Sequence, residues 1–118
     1  MIEKISAKEF NKMQKKTRKG QTAETIEKAT IKAYLKARGF FYYHNLAGMG
    51  VYPGISDFTV IKWGVVLQLE VKKPKGGVQS QNQKDFQASW EAQGGIYICG
   101  CANDTIEFLE NFRNGFFK

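Results

Sequence analysis

Cysteine, histidine and proline are scarce in this 118-residue chain, which contains two cysteines, one histidine and two prolines. Two cysteines separated by one residue and a lone histidine make a poor zinc site, so Cys99 and Cys101 are interpreted as reduced thiols on a strand. The chain also lacks a Ser-His-Asp signature, a phosphate-binding Walker sequence and a dinucleotide-binding glycine fingerprint. We therefore expect no small-molecule cofactor.

Long apolar runs are also missing. No segment reaches the roughly 20 apolar residues that a membrane-spanning helix needs, and the N-terminus lacks the apolar core of a secretory signal. We therefore expect a cytoplasmic protein with no membrane partner. The small size of the chain favours a bacterium or a phage-infected host cell as that setting. The length suits one domain that buries about two-thirds of its unfolded surface.

Positive charge is concentrated near the N-terminus. Residues 1–38 contain 11 Lys and Arg against 4 Asp and Glu, whereas residues 39–118 contain 7 of each kind, which gives the net charge of +7. A basic run within residues 12–19 suits contacts with phosphates and predicts salt-dependent binding. The alternative is a solvated basic arm. We divide the chain into a basic segment, 1–20, and a single folded domain, 21–118.

Asp57 and the Glu70-Val-Lys72 triplet flank a segment that predicts a β-hairpin. Its two halves are rich in β-branched residues, and the Trp-Gly pair at positions 63 and 64 permits a tight turn. Asp57 then lies beside Glu70 and Lys72 at the open end of the hairpin. Alternation along a strand places Glu70 and Lys72 on one face.

These three side chains have the chemistry that metal-dependent cleavage of a phosphodiester requires. Two carboxylates can hold a hard divalent cation, and an ammonium group can neutralise charge on a phosphate or orient the attacking water. The alternative is an amphipathic edge strand with Glu70 and Lys72 in solvent, and an Asp57 that only ends a turn.

Glu24 lies at the start of a predicted helix over residues 22–38, which has good helix formers and ends at a glycine. Its spacing from Ile31 and Leu35 places all three on one face. A carboxylate on an apolar face must be paired, hydrogen-bonded or bound to a metal. The alternative is a solvent-exposed Glu24 that the helix dipole favours.

Gln83 lies in a second predicted helix, over residues 80–93, on the same face as Phe86 and Trp90. A buried amide needs partners, which a phosphate, a metal-bound water or a catalytic carboxylate could supply. Ser80 and Gln83 also have the spacing of a capping box, and the two interpretations are compatible.

The remaining pattern predicts a short helix at 6–16, strands at 40–44 and 95–101, and a closing helix from 103 or 104 to about 114. Strands mixed with helices favour an α/β fold with a central mixed sheet and helices on both faces.

The chain resembles the VRR-Nuc family of PD-(D/E)xK nucleases in the order of these residues. Among its members it resembles the stand-alone, phage-type proteins. The resemblance covers roughly residues 22–101 and rests on Glu24, Gly54-x-x-Asp57, Glu70-x-Lys72, Gly76-Gly77, Gln83 and Gly94-Gly95. Ser56 departs from the pattern, because the superfamily has a proline there that is dispensable to the chemistry. The resemblance implies a restriction-endonuclease-like core.

The resemblance also implies a magnesium site, in which Mn²⁺ can replace Mg²⁺. Asp57 and Glu70 would be ligands, with the main-chain carbonyl of Val71 as a third. Glu24 would bind through water or through a second cation.

Further roles follow from the resemblance and from charge. Lys72 would assist the water nucleophile or the transition-state phosphate, and Gln83 would support the lysine or the phosphate. The residues expected to contact nucleic acid are Lys15, Lys16, Arg18, Lys19, His44, Lys73 and Lys75. Met49 and Tyr52, in the loop before Asp57, either stack on bases or pack beneath the loop.

Stand-alone members of this family are similar to Holliday-junction resolvases, so the expected partner is branched DNA and the expected assembly is a homodimer. Phe116 and Phe117 would suit its interface. Two alternatives are a non-catalytic nucleic-acid-binding module and a sequence-specific restriction-type nuclease.

Overall fold

The computed structural model describes residues 22–46 and 49–115. The elements within them are α1 (Ala23–Ala37), β1 (Phe41–His44), β2 (Phe58–Lys62), β3 (Val65–Val71), α2 (Gln81–Ala92), β4 (Ile96–Gly100) and α3 (Ala102–Arg113). The helix expected at 6–16 and the pair Phe116 and Phe117 lie outside the described residues. None of the described helices is long and apolar enough to span a membrane.

The four strands form one mixed sheet in the order β1-β2-β3-β4. Strands β1, β2 and β3 are antiparallel neighbours, and β4 is parallel to β3. Trp63 (φ 53°) and Gly64 (φ 79°) form the tight turn of the β2-β3 hairpin, which confirms that prediction. Strand β3 is central and is buried along Leu67, Gln68, Leu69, Glu70 and Val71, so the edge-strand alternative is wrong.

The main core lies between one face of the sheet and helices α1 and α3. Alternate residues of β2 and β3 point into it, and they meet Ile31, Leu35, Ile106 and Leu109. Helix α2 lies on the other face, where the rings of Phe86 and Tyr97 are in contact. The predicted sheet with helices on both faces is thereby confirmed.

Helix α3 begins at Ala102, one or two residues earlier than the sequence pattern predicted. Its N-cap residue, Cys101, provides no side-chain hydrogen bond to the first turn. Glu27 of α1 supplies it instead, because its buried carboxylate accepts a hydrogen bond from the Ala102 N–H at 2.7 Å. The two helices are therefore joined by a charged cap between residues 75 positions apart.

We expect Glu27→Ala to lower the free energy of unfolding by about 1–3 kcal/mol, because the Ala102 N–H would be left buried without an acceptor. Glu27→Gln keeps an acceptor oxygen but loses the charge, so its loss should be smaller, about 1 kcal/mol. Urea denaturation of the two variants measures both values. Equal stability of all three proteins would contradict this role.

Candidate active site

Asp57 is fixed at the open end of the β2-β3 hairpin by the strand opposite. Its Oδ2 accepts a hydrogen bond from the Val71 N–H at 2.7 Å. The carbonyl of Asp57 in turn accepts from the N–H of Asn45 at 2.8 Å, which ties the residue to the end of β1. The carboxylate is therefore held next to Glu70 and Lys72, as the hairpin prediction required.

Glu70 is the buried carboxylate of the site, with 3% of its surface exposed. Its Oε2 lies 3.4 Å from Lys72 Nζ and accepts a hydrogen bond from Gln83 Nε2 at 2.9 Å. Its Oε1 is buried and has no hydrogen-bond partner. Burial and the neighbouring Asp57 charge raise the pKa of Glu70 to about 7, although Lys72 opposes the shift.

Gln83 connects the start of α2 to this pair of charges. Its side chain and that of Ser80 form the predicted capping box. The Gln83 Oε1 that accepts the Ser80 N–H in this capping box also accepts a hydrogen bond from Lys72 Nζ at 3.0 Å. The amide nitrogen of Gln83 donates to Glu70. The cap therefore holds Lys72 and Glu70 in a fixed relation.

Glu24 is not on the apolar face, and that expectation is wrong. Its side chain is 47% exposed and forms an ion pair with Lys28 at 3.2 Å. Lys28 also lies 3.2 Å from Asp57 Oδ1. Burial alone would lower the pKa of Lys28, but Asp57 and Glu24 together raise it. Glu24 therefore lies at the rim of the site and reaches Asp57 only through a lysine.

Lys28 was missed by the sequence reasoning. The available signal was its spacing of four residues after Glu24, which is the spacing of a helical ion pair. The sequence did not show that the same ammonium would meet Asp57.

Ser56, at the position of the superfamily proline, is buried and supports the hairpin. Its hydroxyl contacts the carbonyl of Phe58 at 3.2 Å and also the side-chain oxygen of Gln68. Gln68 donates to Thr59 at 3.2 Å. A small polar network thus connects the residue before Asp57 to the central strand.

One solved structure, described as a VRR_NUC domain, has a similar arrangement of sheet and helices. The TM-score is 0.65 at 21% sequence identity, over 75% of this chain and 95% of the other. This chain has the VRR_NUC fold. No family model and no curated protein matches the sequence, so the likeness rests on three-dimensional structure. It confirms the α/β fold expected from the resemblance.

Within this VRR_NUC fold, the donor atoms at the site suit a hard divalent cation. Two carboxylates converge there, and the free Glu70 Oε1 is a buried oxygen without a hydrogen-bond partner. Magnesium is commonly held by one or two carboxylates together with several waters. No group of three or more Asp, Glu, His or Cys side chains suited to a metal occurs among residues 22–46 and 49–115. The carbonyl of Val71 as a ligand stays a prediction.

The residues expected to contact nucleic acid are only partly described. Lys15, Lys16, Arg18 and Lys19 lie outside the described residues. Lys73 and Lys75 are exposed in the loop that follows β3. His44 is exposed at the end of β1, with its ring 5.0 Å from that of Phe58. These contacts stay predictions.

The side chains of Met49 and Tyr52, in the loop before Asp57, are more exposed than the interpretation in which both pack beneath the loop predicts. Met49 is 99% exposed, so it does not pack beneath the loop. Tyr52 is 62% exposed, yet its ring packs edge-on against Phe86 at 5.7 Å. One side of the Tyr52 ring therefore contacts α2 while much of its surface is open.

Proposed function

We propose that this chain is a divalent-metal-dependent endonuclease that hydrolyses DNA phosphodiester bonds, with selectivity for branched DNA such as Holliday junctions. The observation that carries the proposal is the convergence of Asp57, Glu70 and Lys72, with Glu70 Oε1 buried and available. The VRR_NUC fold supports it, because the resemblance at the same positions implies nuclease chemistry.

Each residue has a separate role in the proposed reaction. Asp57 and Glu70 would hold Mg²⁺ or Mn²⁺, which would lower the pKa of a water and offset charge on the phosphate. Lys72 donates a hydrogen bond to the attacking water or to a phosphate oxygen, and Gln83 keeps its ammonium group in position.

The charge of the chain supports a polyanionic substrate. The basic segment, residues 1–20, contains 7 Lys and Arg against 2 Asp and Glu, so most of the net charge of +7 lies in it. Binding through such charges weakens steeply as salt rises. We propose that the protein acts as a homodimer, since two symmetric sites suit paired cuts in a four-way junction.

The test uses a labelled four-way junction and a linear duplex of the same sequence, with Mg²⁺, Mn²⁺ or chelator. Paired nicks are expected in the junction with metal and none with chelator. Lys72→Ala should lower the cleavage rate by about 100-fold, because it removes the cation next to the reacting phosphate. Lys36→Ala, which removes an exposed lysine in the last turn of α1, is the matched control and should cleave normally.

Three results would overturn parts of this proposal. Binding without cleavage in either metal, together with no Mn²⁺ binding in calorimetry, would indicate a non-catalytic binding module. Discrete fragments from the linear duplex would indicate a sequence-specific nuclease. Full activity of Lys72→Ala would show that the site assignment is wrong.

A further inference from the structure

An apolar cavity of about 380 Å³ lies between α2 and the loop that precedes Asp57. It is lined by Tyr52, Ile55, Phe86, Ser89, Trp90 and Gln93. Its volume falls in the usual range of small-molecule sites, about 300–1,000 Å³.

The aromatic side chains of this cavity have fixed orientations. The rings of Phe86 and Trp90 are within 13° of parallel, with centroids 6.0 Å apart. Trp90 is held by a hydrogen bond from its indole N–H to the carbonyl of Ile96 at 2.9 Å. The Tyr52 ring stands at 80° to that of Phe86. The cavity therefore presents rigid ring surfaces, and Tyr52 forms an exposed part of its wall.

A second cavity, of about 460 Å³, lies next to this aromatic pocket, between the loop that precedes Asp57 and the start of α2. It shares Tyr52 and Ile55 with the aromatic pocket and extends to Gln83. Gln83 is hydrogen-bonded to both Lys72 and Glu70. Aromatic rings therefore line the first cavity, and the second reaches a residue that contacts both charged groups of the site.

We infer that the aromatic pocket binds a nucleobase of the nucleotide next to the cleaved phosphate. This inference rests on the proposed nuclease function and specifies its substrate. A nucleotide joins a charged phosphate to a flat base, and the candidate active site and the aromatic pocket offer charged groups and aromatic rings, respectively. Aromatic side chains stack on any base, because every base has a π face. Gln83 and Phe86 are one helical turn apart, about 5–6 Å between Cβ atoms.

The pocket selects DNA in which the base beside the cut is unpaired or is easily opened, as in a flap or at a branch point. A base inside a duplex must first lose its pairing and stacking before it can enter, whereas a base at a branch point opens more easily and a base in a flap is already unpaired. The pocket thus supplies a physical basis for structure selectivity that requires no reading of sequence.

The first measurement varies the DNA and leaves the full-length wild-type protein unchanged. Single abasic residues are placed at each position next to the cut in a branched substrate, and the dissociation constant is measured by fluorescence anisotropy in chelator. At one flanking position, loss of the base should weaken binding about 10-fold. A 2-aminopurine at that position should lose fluorescence on binding, because it stacks on the rings.

The second measurement tests coupling between the base and the pocket. Tyr52→Ala should weaken binding of the intact substrate about 10-fold, and the abasic substitution should then add little. Ser89→Trp, which fills the pocket from an exposed position of α2, should give the same loss through a different change. Tyr43→Ala removes another exposed tyrosine, on β1, and should bind like the wild type.

The outcomes separate this inference from the proposed function. If the wild-type protein neither binds nor cuts any DNA, the proposed function fails and the base pocket fails with it. If the protein cuts branched DNA but shows no effect of the abasic residues and none of Tyr52→Ala beyond that of Tyr43→Ala, only the base pocket is wrong. A change in oligomeric state for Tyr52→Ala, without a change in base dependence, would assign the pocket to a subunit interface.

Discussion

Glu70→Gln should lower DNA cleavage by about 1,000-fold while making the metal-free protein more stable. The substitution removes a charge that the proposed metal needs, so catalysis and metal binding are both lost. It also removes an ionised carboxylate that is 3% exposed and has one oxygen without a hydrogen-bond partner. We expect the free energy of unfolding at pH 8 in chelator to rise by on the order of 1–3 kcal/mol.

The pH dependence of stability tests whether the gain in stability of Glu70→Gln comes from removing the buried charge of Glu70. A glutamate side chain in the unfolded chain has an ordinary pKa of 4.5, and the folded protein raises the pKa of Glu70 to about 7. Between these values the folded protein binds a proton that the unfolded chain has released. The Glu70 contribution is therefore fully present below about pH 4.5 and is lost as the pH rises through 7. Glu70→Gln should lack this loss in urea denaturation measured at several pH values.

Metal should stabilise the wild-type protein and not Glu70→Gln, whereas without metal Glu70→Gln is the more stable of the two. Added Mn²⁺ should raise the Tm of the wild-type protein, because a ligand that binds only the folded state stabilises it, and should leave the Tm of Glu70→Gln nearly unchanged. Glu27→Gln makes the same chemical change at a buried carboxylate that has a hydrogen-bond partner, so it should lose stability. If Glu70→Gln were less stable than the wild type in chelator, the Glu70 carboxylate would not be a group that lowers the stability of the metal-free protein and binds the metal.

The hairpin and its three functional residues could be predicted because local rules determine them. A Trp-Gly turn between two β-branched segments fixes the register, and the register places Asp57 opposite Glu70. The boundaries of α1 and α2 followed from Thr22, Ser80 and the glycines near the helix ends, which act within one turn.

The details that could not be predicted depend on contacts between elements distant in sequence. Helical periodicity placed Glu24 on the apolar face, but the first turn of α1 extends beyond the core and leaves it exposed. The buried carboxylate of this helix is Glu27, three residues later, and its partner is Ala102. Likewise, Lys28 meets Asp57 only because α1 packs beside the open end of the hairpin. One sequence without a known fold contains no signal for such pairings.

Gly54→Ala should lower cleavage by about 100-fold although residue 54 carries no chemistry. Gly54 has a φ of 78°, and a Cβ there would overlap the main-chain carbonyl of Asn82 at the start of α2. The loop would have to move away from α2, and this loop positions Asp57 three residues later. A displacement of about 1 Å at a reacting group can cost about 100-fold in rate. Cleavage kinetics at saturating metal measure the loss.

Gly50→Ala separates the effect of backbone strain at a positive φ from the effect of the overlap with α2. Gly50 lies in the same loop and has a similar φ of 89°, but nothing lies within 4 Å of the position that its Cβ would occupy. Both substitutions therefore carry the strain of a positive φ, about 1 kcal/mol, and only Gly54→Ala also breaks the close approach to α2. We expect Gly50→Ala to lose a little stability and to retain nearly full activity. If the two variants lose activity equally, the position of Asp57 depends on the backbone conformation of the loop and not on its contact with α2.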